Sequence, residues 1–353
     1  MIVGRMKDRI KNCKVIVGIY ELVMEPVHKG LRKTKELKKK FVRTRFSYGT
    51  CNQDKVFYLI TSDVATCGLF SLILVNVLPF LKIGEKKGYI PIVDYKNTVY
   101  LPMIQDVERY GKENPWEYYF EQPGGNYTLD EVYKSAKIEV GNQNKYGFQV
   151  VIWNDMMPMP MKDLNYWSRI ANKYIRPTAE ICKRIEDEKK KLFPKDGKIM
   201  GVSIRAAYRW SAMLKNDIIK DHPKVASCEY YMEMIQKKMD EWGYDLFLLA
   251  CEDREYVTKM EKRFGEKCCH MDRRYRHMFE NDVPVSLDYM EEIVRKEFKG
   301  ISVTETTIEY IVETYLLASC DSLYSTIGGG AQFAYIVNGG KYKNLEVYNE
   351  GLY

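Results

Sequence analysis

The chain has 353 residues, which exceeds one ordinary domain and suits two, and its 46% apolar content lets each half bury a core. Its net charge of +7 is concentrated at one end: residues 1–50 hold 14 Lys and Arg against 4 Asp and Glu, whereas the rest holds 41 against 44. The chain is therefore not basic throughout, and it carries no nucleic-acid-binding signature. These features exclude a basic nucleic-acid-binding fold over most of its length.

The first 50 residues form a basic arm, with most of the charge in "KGLRKTKELKKKFVRTRF". Such a run is typical of a membrane-surface patch, of a nucleic-acid contact or of a solvated helix face. In the last case Leu31, Leu37 and Phe41 would pack the arm on the following domain. The sequence leaves these alternatives open.

Nine cysteines are scattered along the chain without a CxxC pair, which is typical of reduced thiols in a cytosolic protein. No signal peptide is visible. The longest apolar run, residues 68–83, is shorter than the ~20 residues that span a bilayer and contains Asn76 and Pro79. We therefore expect a cytoplasmic protein in which this run is a buried helix, with peripheral contact at the inner membrane face as a possible addition.

After the arm, "DKVFYLITSD" predicts a buried strand, followed by the apolar helix and by a second strand in "YIPIVDY". A strand, helix and strand in this order predict parallel pairing through a crossover. Residues 163–193 have helical periodicity that Pro177 interrupts. The turn signals in "PKDGK" then indicate a domain boundary near residue 195.

The second half alternates again between strands and helices. The strands lie in "IMGVSIR", "YDLFLLACED" and "DSLYST", and the helices in "SCEYYMEMIQKKMDEWG", "REYVTKMEKRFG", "TIEYIVETYLLASC" and "AQFAYIVNGG". This alternation predicts an α/β protein with two Rossmann-like domains that face each other across a cleft. We expect the basic arm over 1–50, an N-terminal acceptor domain over 51–195 and a C-terminal donor domain over 196–353.

Polar residues follow three strands of the second half at the edge where ligands bind in open α/β sheets. Arg205 ends one strand, Glu252 and Asp253 end the next, and "STIGGG" follows a third. Arginine is suited to phosphate, and a glycine-rich entry to a helix lets backbone N–H groups approach an anion. This edge therefore predicts a pocket for a diphosphate and a nucleoside.

Residues 197–338 resemble the donor domain of the GT-B fucosyltransferases, the group that includes the α1,6- and protein O-fucosyltransferases. Their motif H-x-R-R-x-D resembles "SIRAAY", their T-D-D resembles "CED", and their last helix and Ser/Thr-rich turn resemble "VETYLLASCDSLYSTIGGG". The motif histidine is Ser203 here, the second arginine is Ala206 and the acid is Tyr208. An His-Pro pair also stands before a helix, in "DHPKVASCEYYMEMI".

The resemblance implies inverting, metal-independent transfer of fucose from GDP-fucose to a glycan or lipid-linked acceptor in surface polysaccharide synthesis, with no cofactor. By position it places Arg205 on the donor β-phosphate, and Arg209, just beyond the motif, could substitute for the missing second arginine. The other implied donor-binding residues are Glu252, Asp253, Glu313, Ser325, Thr326, Gly328 and Gly329.

An inverting transfer also needs a general base for the acceptor hydroxyl, and Asp217 or Asp221, in the loop before the His-Pro pair, could serve. No D-x-D pair stands at a strand end, so no metal site is expected. The alternatives are a transferase that uses another nucleotide sugar, a non-catalytic nucleotide- or glycan-binding protein on the same fold, and a nucleic-acid-associated protein that uses the arm.

Overall fold

The structure, a computed structural model, describes most of the chain from residue 43 onward. The described residues are 43–62, 68–96, 108–141, 151, 157–206, 223–273, 279–280, 283–284 and 303–351. The framework of the fold consists of a mixed sheet from the N-terminal half and a parallel sheet from the C-terminal half.

The N-terminal sheet has four strands in the order β1-β4-β2-β3. They are β1 (Arg45–Phe46), β2 (Phe57–Ile60), β3 (Ile90–Val93) and β4 (Ile138–Gly141). Strand β2 pairs in parallel with both β3 and β4, whereas β1 pairs antiparallel with β4. The parallel pairing predicted for β2 and β3 is confirmed, and β1 uses the last residues of the basic arm.

The predicted apolar helix joins β2 to β3. It consists of α1 (Leu69–Leu72), a π-helical turn (Ile73–Val77) and α2 (Leu78–Lys87), and Gly88 ends it at φ +67. Asn76 is fully buried in the π-helical turn, where its Nδ2 donates to the carbonyl oxygen of Thr61 at 3.0 Å and its Oδ1 accepts from the Tyr95 hydroxyl at 3.2 Å. These bonds satisfy an amide that the apolar run carries into the core.

Four further helices lie among the described residues of the N-terminal half and of the connection to the second half. They are α3 (Trp116–Tyr119), α4 (Leu129–Val132), α5 (Met161–Tyr174) and α6 (Ala179–Leu192). The interruption between α5 and α6 falls where Pro177 predicts it, because proline cannot donate a helical hydrogen bond.

The described elements of the C-terminal half alternate between strand and helix, except that β7, β8 and β9 follow one another. In chain order its elements are β5 (Met200–Ile204), α7 (Cys228–Trp242), β6 (Phe247–Cys251), α8 (Arg254–Phe264), β7 (Cys268–Cys269), β8 (Phe279–Glu280), β9 (Val283–Pro284), α9 (Val303–Ala318), β10 (Ser322–Thr326), α10 (Gly329–Asn338) and β11 (Leu345–Tyr348). Five strands form one fully parallel sheet in the order β11-β10-β5-β6-β7. The predicted α/β class is thus confirmed in both halves.

Both sheets bury apolar side chains on their two faces, as parallel sheets covered by helices do. Along β2, Phe57 and Leu59 belong to an outer cluster, whereas Tyr58 and Ile60 belong to the largest cluster of the protein. That largest cluster continues into α9, α10 and the inner face of the C-terminal sheet. One apolar core therefore spans both halves of the chain. Among the described helices, none combines the length and the hydropathy that crossing a membrane requires.

Candidate functional site

A cleft opens at the carboxyl ends of β5 and β6. The starts of α1 and α10 and one face of α9 form its other walls, so both halves of the chain line it. Its empty volume is about 1000 Å³, including solvent at its open side. The cleft lies at the sheet edge where open α/β folds bind their ligands.

Arg205 follows β5 directly and reaches into this cleft. Its backbone N–H donates to Oγ1 of Thr326 at 2.7 Å, and the same hydroxyl donates to the carbonyl oxygen of Ser203 at 3.3 Å. Thr326 thereby ties the ends of two neighbouring strands together and fixes the point from which Arg205 projects. The Arg205 guanidinium lies 3.3 Å from a carboxylate oxygen of Glu252, at the end of the adjacent strand β6. The side chain of Arg205 is 34% exposed, so a ligand in the cleft can reach it.

The glycine-rich segment forms the start of α10. Gly328 is the N-cap residue and has no side chain to bond the first helical N–H groups, which point away from the helix toward the cleft. A Cβ atom at Gly328 would meet only the Arg205 side chain, at 3.8 Å. At Gly330 it would lie 2.6 Å from the Tyr310 hydroxyl, and at Gly329 it would clash with Ser71. Close packing therefore explains Gly329 and Gly330, whereas a Cβ atom at Gly328 would make only ordinary van der Waals contact with the Arg205 side chain.

Glu313 lies on the α9 wall of the cleft and forms a short ion pair with Arg273. Each of the two side chains is only 7% exposed. Burial raises the pKa of Glu313 to about 7; Arg273 opposes the rise, and the nearby Glu252 adds to it. Burial disfavours the charged carboxylate because water no longer solvates it, and the pKa of Glu313 therefore lies above the ordinary glutamate value.

Glu313 is the last of three glutamates spaced four residues apart on one face of α9. Such spacing places side chains one above the other along a helix. Each glutamate pairs with an arginine from a different part of the chain. The pairs are Glu305 with Arg109 at 2.5 Å, Glu309 with Arg184 at 3.7 Å, and Glu313 with Arg273. Each of the three glutamates on this face of α9 therefore has a positively charged partner from another part of the chain.

The structure brings together five of the residues predicted for the site. Arg205, Glu252, Glu313, Gly328 and Gly329 all line the cleft. Arg209 and the predicted base Asp217, with its alternative Asp221, lie outside the described residues.

The other three predicted residues do not line the cleft. Asp253 caps α8, because its Oδ1 accepts from the backbone N–H groups of Glu255 at 2.9 Å and Tyr256 at 3.3 Å. Ser325 is fully buried in β10, and Thr326 joins β10 to β5 as described above. An acid that directly precedes a helix is a preferred N-cap, which gives Asp253 a structural role.

Arg273 is a cleft residue that the sequence motifs did not reveal. It follows β7, a strand of only two residues, and it is held near the sheet by Met271, which is 1% exposed in the main core. The sequence feature that could have revealed Arg273 is the basic cluster "RRYRH", which follows β7 in the C-terminal half. A basic cluster at that place points to the same sheet edge as Arg205.

Ala206, which stands at the second arginine of the fucosyltransferase motif, is fully buried and packs in the cluster behind the C-terminal sheet. An arginine at this position would point into an apolar core. Ser203, in place of the motif histidine, lines the cleft. The local fold therefore explains why one motif charge is absent here.

No protein-family model and no curated protein matches the chain. Among solved structures, NodZ alpha-1,6-fucosyltransferase soaked with GDP-fucose aligns with 80% of this chain and 92% of its own, at 12% identity and a TM-score of 0.47. POFUT1 in complex with GDP aligns with 84% of this chain and 99% of its own, at 11% identity and a TM-score of 0.43. FUT1 from Arabidopsis thaliana in complex with GDP aligns with 89% of this chain and 73% of its own, at 11% identity and 0.42. These structures carry the names of the enzyme group whose motifs the sequence resembles.

Proposed function

We propose that this protein is a glycosyltransferase that uses a nucleoside diphosphate sugar. One observation carries the proposal: Arg205 and the uncapped N–H groups of α10 converge on one cleft at the carboxyl end of a parallel sheet. A guanidinium and helix-terminal N–H groups are the two protein devices best suited to a diphosphate. The finer proposal, supported by the sequence motifs, is inverting transfer of fucose from GDP-fucose.

In this reaction the acceptor hydroxyl oxygen attacks the anomeric carbon of the sugar while the bond from that carbon to the diphosphate oxygen breaks. Negative charge develops on the departing nucleoside diphosphate. Arg205 and the N–H groups at the start of α10 would stabilise that charge, which lowers the barrier because these groups are already in place. Asp217 is proposed to accept the proton of the acceptor hydroxyl.

Glu252 holds the Arg205 guanidinium at 3.3 Å. A donor phosphate would accept from N–H groups of the same guanidinium and would compete with Glu252 for them. We propose that Glu252 keeps the Arg205 side chain at the cleft until donor binds. Arginine suits this exchange because its five N–H donors can serve two oxyanions.

We further propose that the reaction needs no metal ion and no cofactor, since arginine and backbone donors take over the neutralisation of the leaving diphosphate. The acceptor is proposed to be a glycan or a lipid-linked glycan of a surface polysaccharide. An acceptor on a lipid carrier would give the basic arm a role at an anionic membrane surface.

The test is a donor-hydrolysis and binding panel on the full chain. GDP, UDP, ADP and a single-stranded RNA are titrated by calorimetry, and GDP-fucose, GDP-mannose and UDP-sugars are assayed for sugar release with EDTA and with Mg²⁺. Binding of a diphosphate with metal-independent release supports the proposal, and preference for GDP-fucose supports its finer form. Binding without release from any donor would favour a non-catalytic binding protein, and binding of RNA alone would overturn the proposal.

A further inference from the structure

We infer that Arg273 is a second diphosphate-binding residue of the cleft and that it supplies the positive charge missing at Ala206. The inference rests on the proposed function, because it assigns a part of the same ligand. The first observation is the arrangement of charged residues along the carboxyl edge of the C-terminal sheet. Among the three strands β5, β6 and β7, which lie side by side, Arg205 and Glu252 directly follow β5 and β6, and Arg273 lies four residues beyond the end of β7.

This order places one arginine on each side of Glu252. Glu252 lies 3.3 Å from Arg205, and it is close enough to Glu313, the partner of Arg273, to raise the pKa of that acid. All four side chains line the same cleft. A ligand with two linked phosphates would therefore face two guanidinium groups, one after β5 and one after β7, on either side of β6, and each guanidinium is paired with a carboxylate.

Arg273 is also held firmly enough to bind in a defined geometry. Met271, two residues earlier, is buried in the core, and Glu313 fixes one edge of the guanidinium. A guanidinium has five N–H donors in one plane, so it can keep the bond to Glu313 and donate to a phosphate oxygen. The Arg273 side chain is then already ordered in the folded protein, so ligand binding does not have to pay the entropic cost of ordering it.

Stability alone gives no reason for this pair. Two apolar side chains of similar volume commonly stabilise a buried position as well as an ion pair does, because the pair must be desolvated. Ala206, at the end of the same sheet, shows that an apolar residue can occupy a buried position there, packed in an apolar cluster. Keeping an arginine and a glutamate in the cleft wall is therefore better explained by a ligand than by packing.

The experiment compares two variants that differ only at Arg273. Removing Arg273 alone would leave Glu313 buried without its counter-charge, so the comparison uses Glu313→Gln and the double variant Arg273→Gln with Glu313→Gln. Each is titrated with the tightest binder among GDP, UDP and ADP and with the corresponding nucleoside. The quantity of interest is the ratio of the two affinities, which reports the contribution of the phosphates. Folding is checked by circular dichroism and thermal melting.

We expect the ratio to fall about 10- to 100-fold from Glu313→Gln to the double variant, the range that a charged hydrogen bond supplies. Nucleoside affinity should be the same in both. Arg176→Gln, which breaks the surface pair of Arg176 with Glu121, is the control and should leave the ratio unchanged. An equal ratio in the two test variants would overturn the role of Arg273 while leaving the proposed function intact. Failure of the wild-type chain to bind any diphosphate would instead overturn the proposed function, and this inference with it.

Discussion

Gly329 packs directly against Ser71, so that the first turn of α10 lies on the start of α1. A Cβ atom built at Gly329 would be 2.5 Å from the Ser71 hydroxyl oxygen and 2.8 Å from its backbone nitrogen. The hydroxyl could rotate away, but the backbone nitrogen could not move without shifting α1. This contact joins the two halves of the chain at the edge of the cleft.

We predict that Gly329→Ala destabilises the protein by about 1–3 kcal/mol, the usual cost of overpacking a tight contact. Gly328→Ala is the matched control. Its Cβ atom would meet only the Arg205 side chain at 3.8 Å, and its extended φ suits any residue, so its loss should stay within about 1 kcal/mol. Urea unfolding at equal protein concentration measures both values. Equal losses for the two variants would contradict the packing role of Gly329.

Arg205→Ala is predicted to lose diphosphate binding without unfolding the chain. Its guanidinium is partly exposed, and a charged hydrogen bond to phosphate is worth roughly 1.5–3 kcal/mol, which corresponds to about 10- to 100-fold in affinity. Arg205→Lys should also bind weakly, because lysine lacks the planar fork. Calorimetric titration with GDP checks this, with the melting temperature as the folding control. Wild-type affinity in Arg205→Ala would remove the residue from the phosphate site.

Glu85 joins α2 to α5 and is predicted to stabilise the fold in a pH-dependent way. Arg169 donates to its two oxygens at 2.9 and 2.7 Å, and Lys173 donates at 3.0 Å. These bonds, those from Arg169 above all, lower the pKa of Glu85 to about 2. The stabilisation is therefore complete above an ordinary glutamate pKa near 4.5 and is lost as the pH falls toward 2.

For Glu85→Gln we expect a loss of about 1–2 kcal/mol at pH 7, discounted because both cationic partners are half exposed. The difference from wild type should shrink below pH 4.5. Thermal melting between pH 7 and pH 3 measures it. Glu121→Gln, from an exposed pair, is the control and should cost less. A difference that stays constant over this pH range would refute the role of the Glu85 charge.

Glu313 has the opposite pH dependence, because burial raises its pKa to about 7. The folded protein holds the proton more tightly than the unfolded chain, so this group's contribution to stability is full below pH 4.5 and declines as the pH rises to 7. Glu313→Gln stays neutral throughout. The stability of this variant relative to wild type should therefore increase from pH 4.5 to 7 and level off above. Melting curves across this range test the trend, with exposed Glu233→Gln as the control; a flat difference would contradict it.

The basic arm yields a prediction about membranes. Each Lys or Arg near an anionic surface contributes on the order of 1 kcal/mol, and salt screens the effect within about 8–10 Å. We predict that full-length protein co-sediments with anionic vesicles at low salt and is released at high salt. Deleting residues 1–42, which leaves β1 intact, should abolish the binding. Full-length protein that stays in the supernatant at low salt would instead indicate a helix packed on the fold and a soluble acceptor.

The main elements of this fold follow from local patterns that the sequence displays openly. The apolar runs of β5 and β6 end at Arg205 and Glu252, and Gly88 ends α2 as a glycine stop should. The described strands β1, β7, β8 and β9 escaped prediction because each has only two residues. Strands β4 and β11 are as long as β2 and β3, but Glu139 and Glu346 interrupt their apolar runs, and long-range pairing makes them strands. Asp253 could be read as a ligand or as a cap from sequence alone, since both uses place an acid at that position. Arg273 was missed for the same reason as β7, the strand that brings it to the sheet edge.

Phe70 from the N-terminal half stacks on Phe333 from the C-terminal half, with ring centroids 4.7 Å apart, inside the core that both halves share. Melting either half would expose apolar surface of the other, so their free energies of unfolding are coupled. Regions coupled in this way open together in hydrogen exchange, as one cooperative unit. Slow-exchanging amides of α1 and α10 should then report a single opening energy.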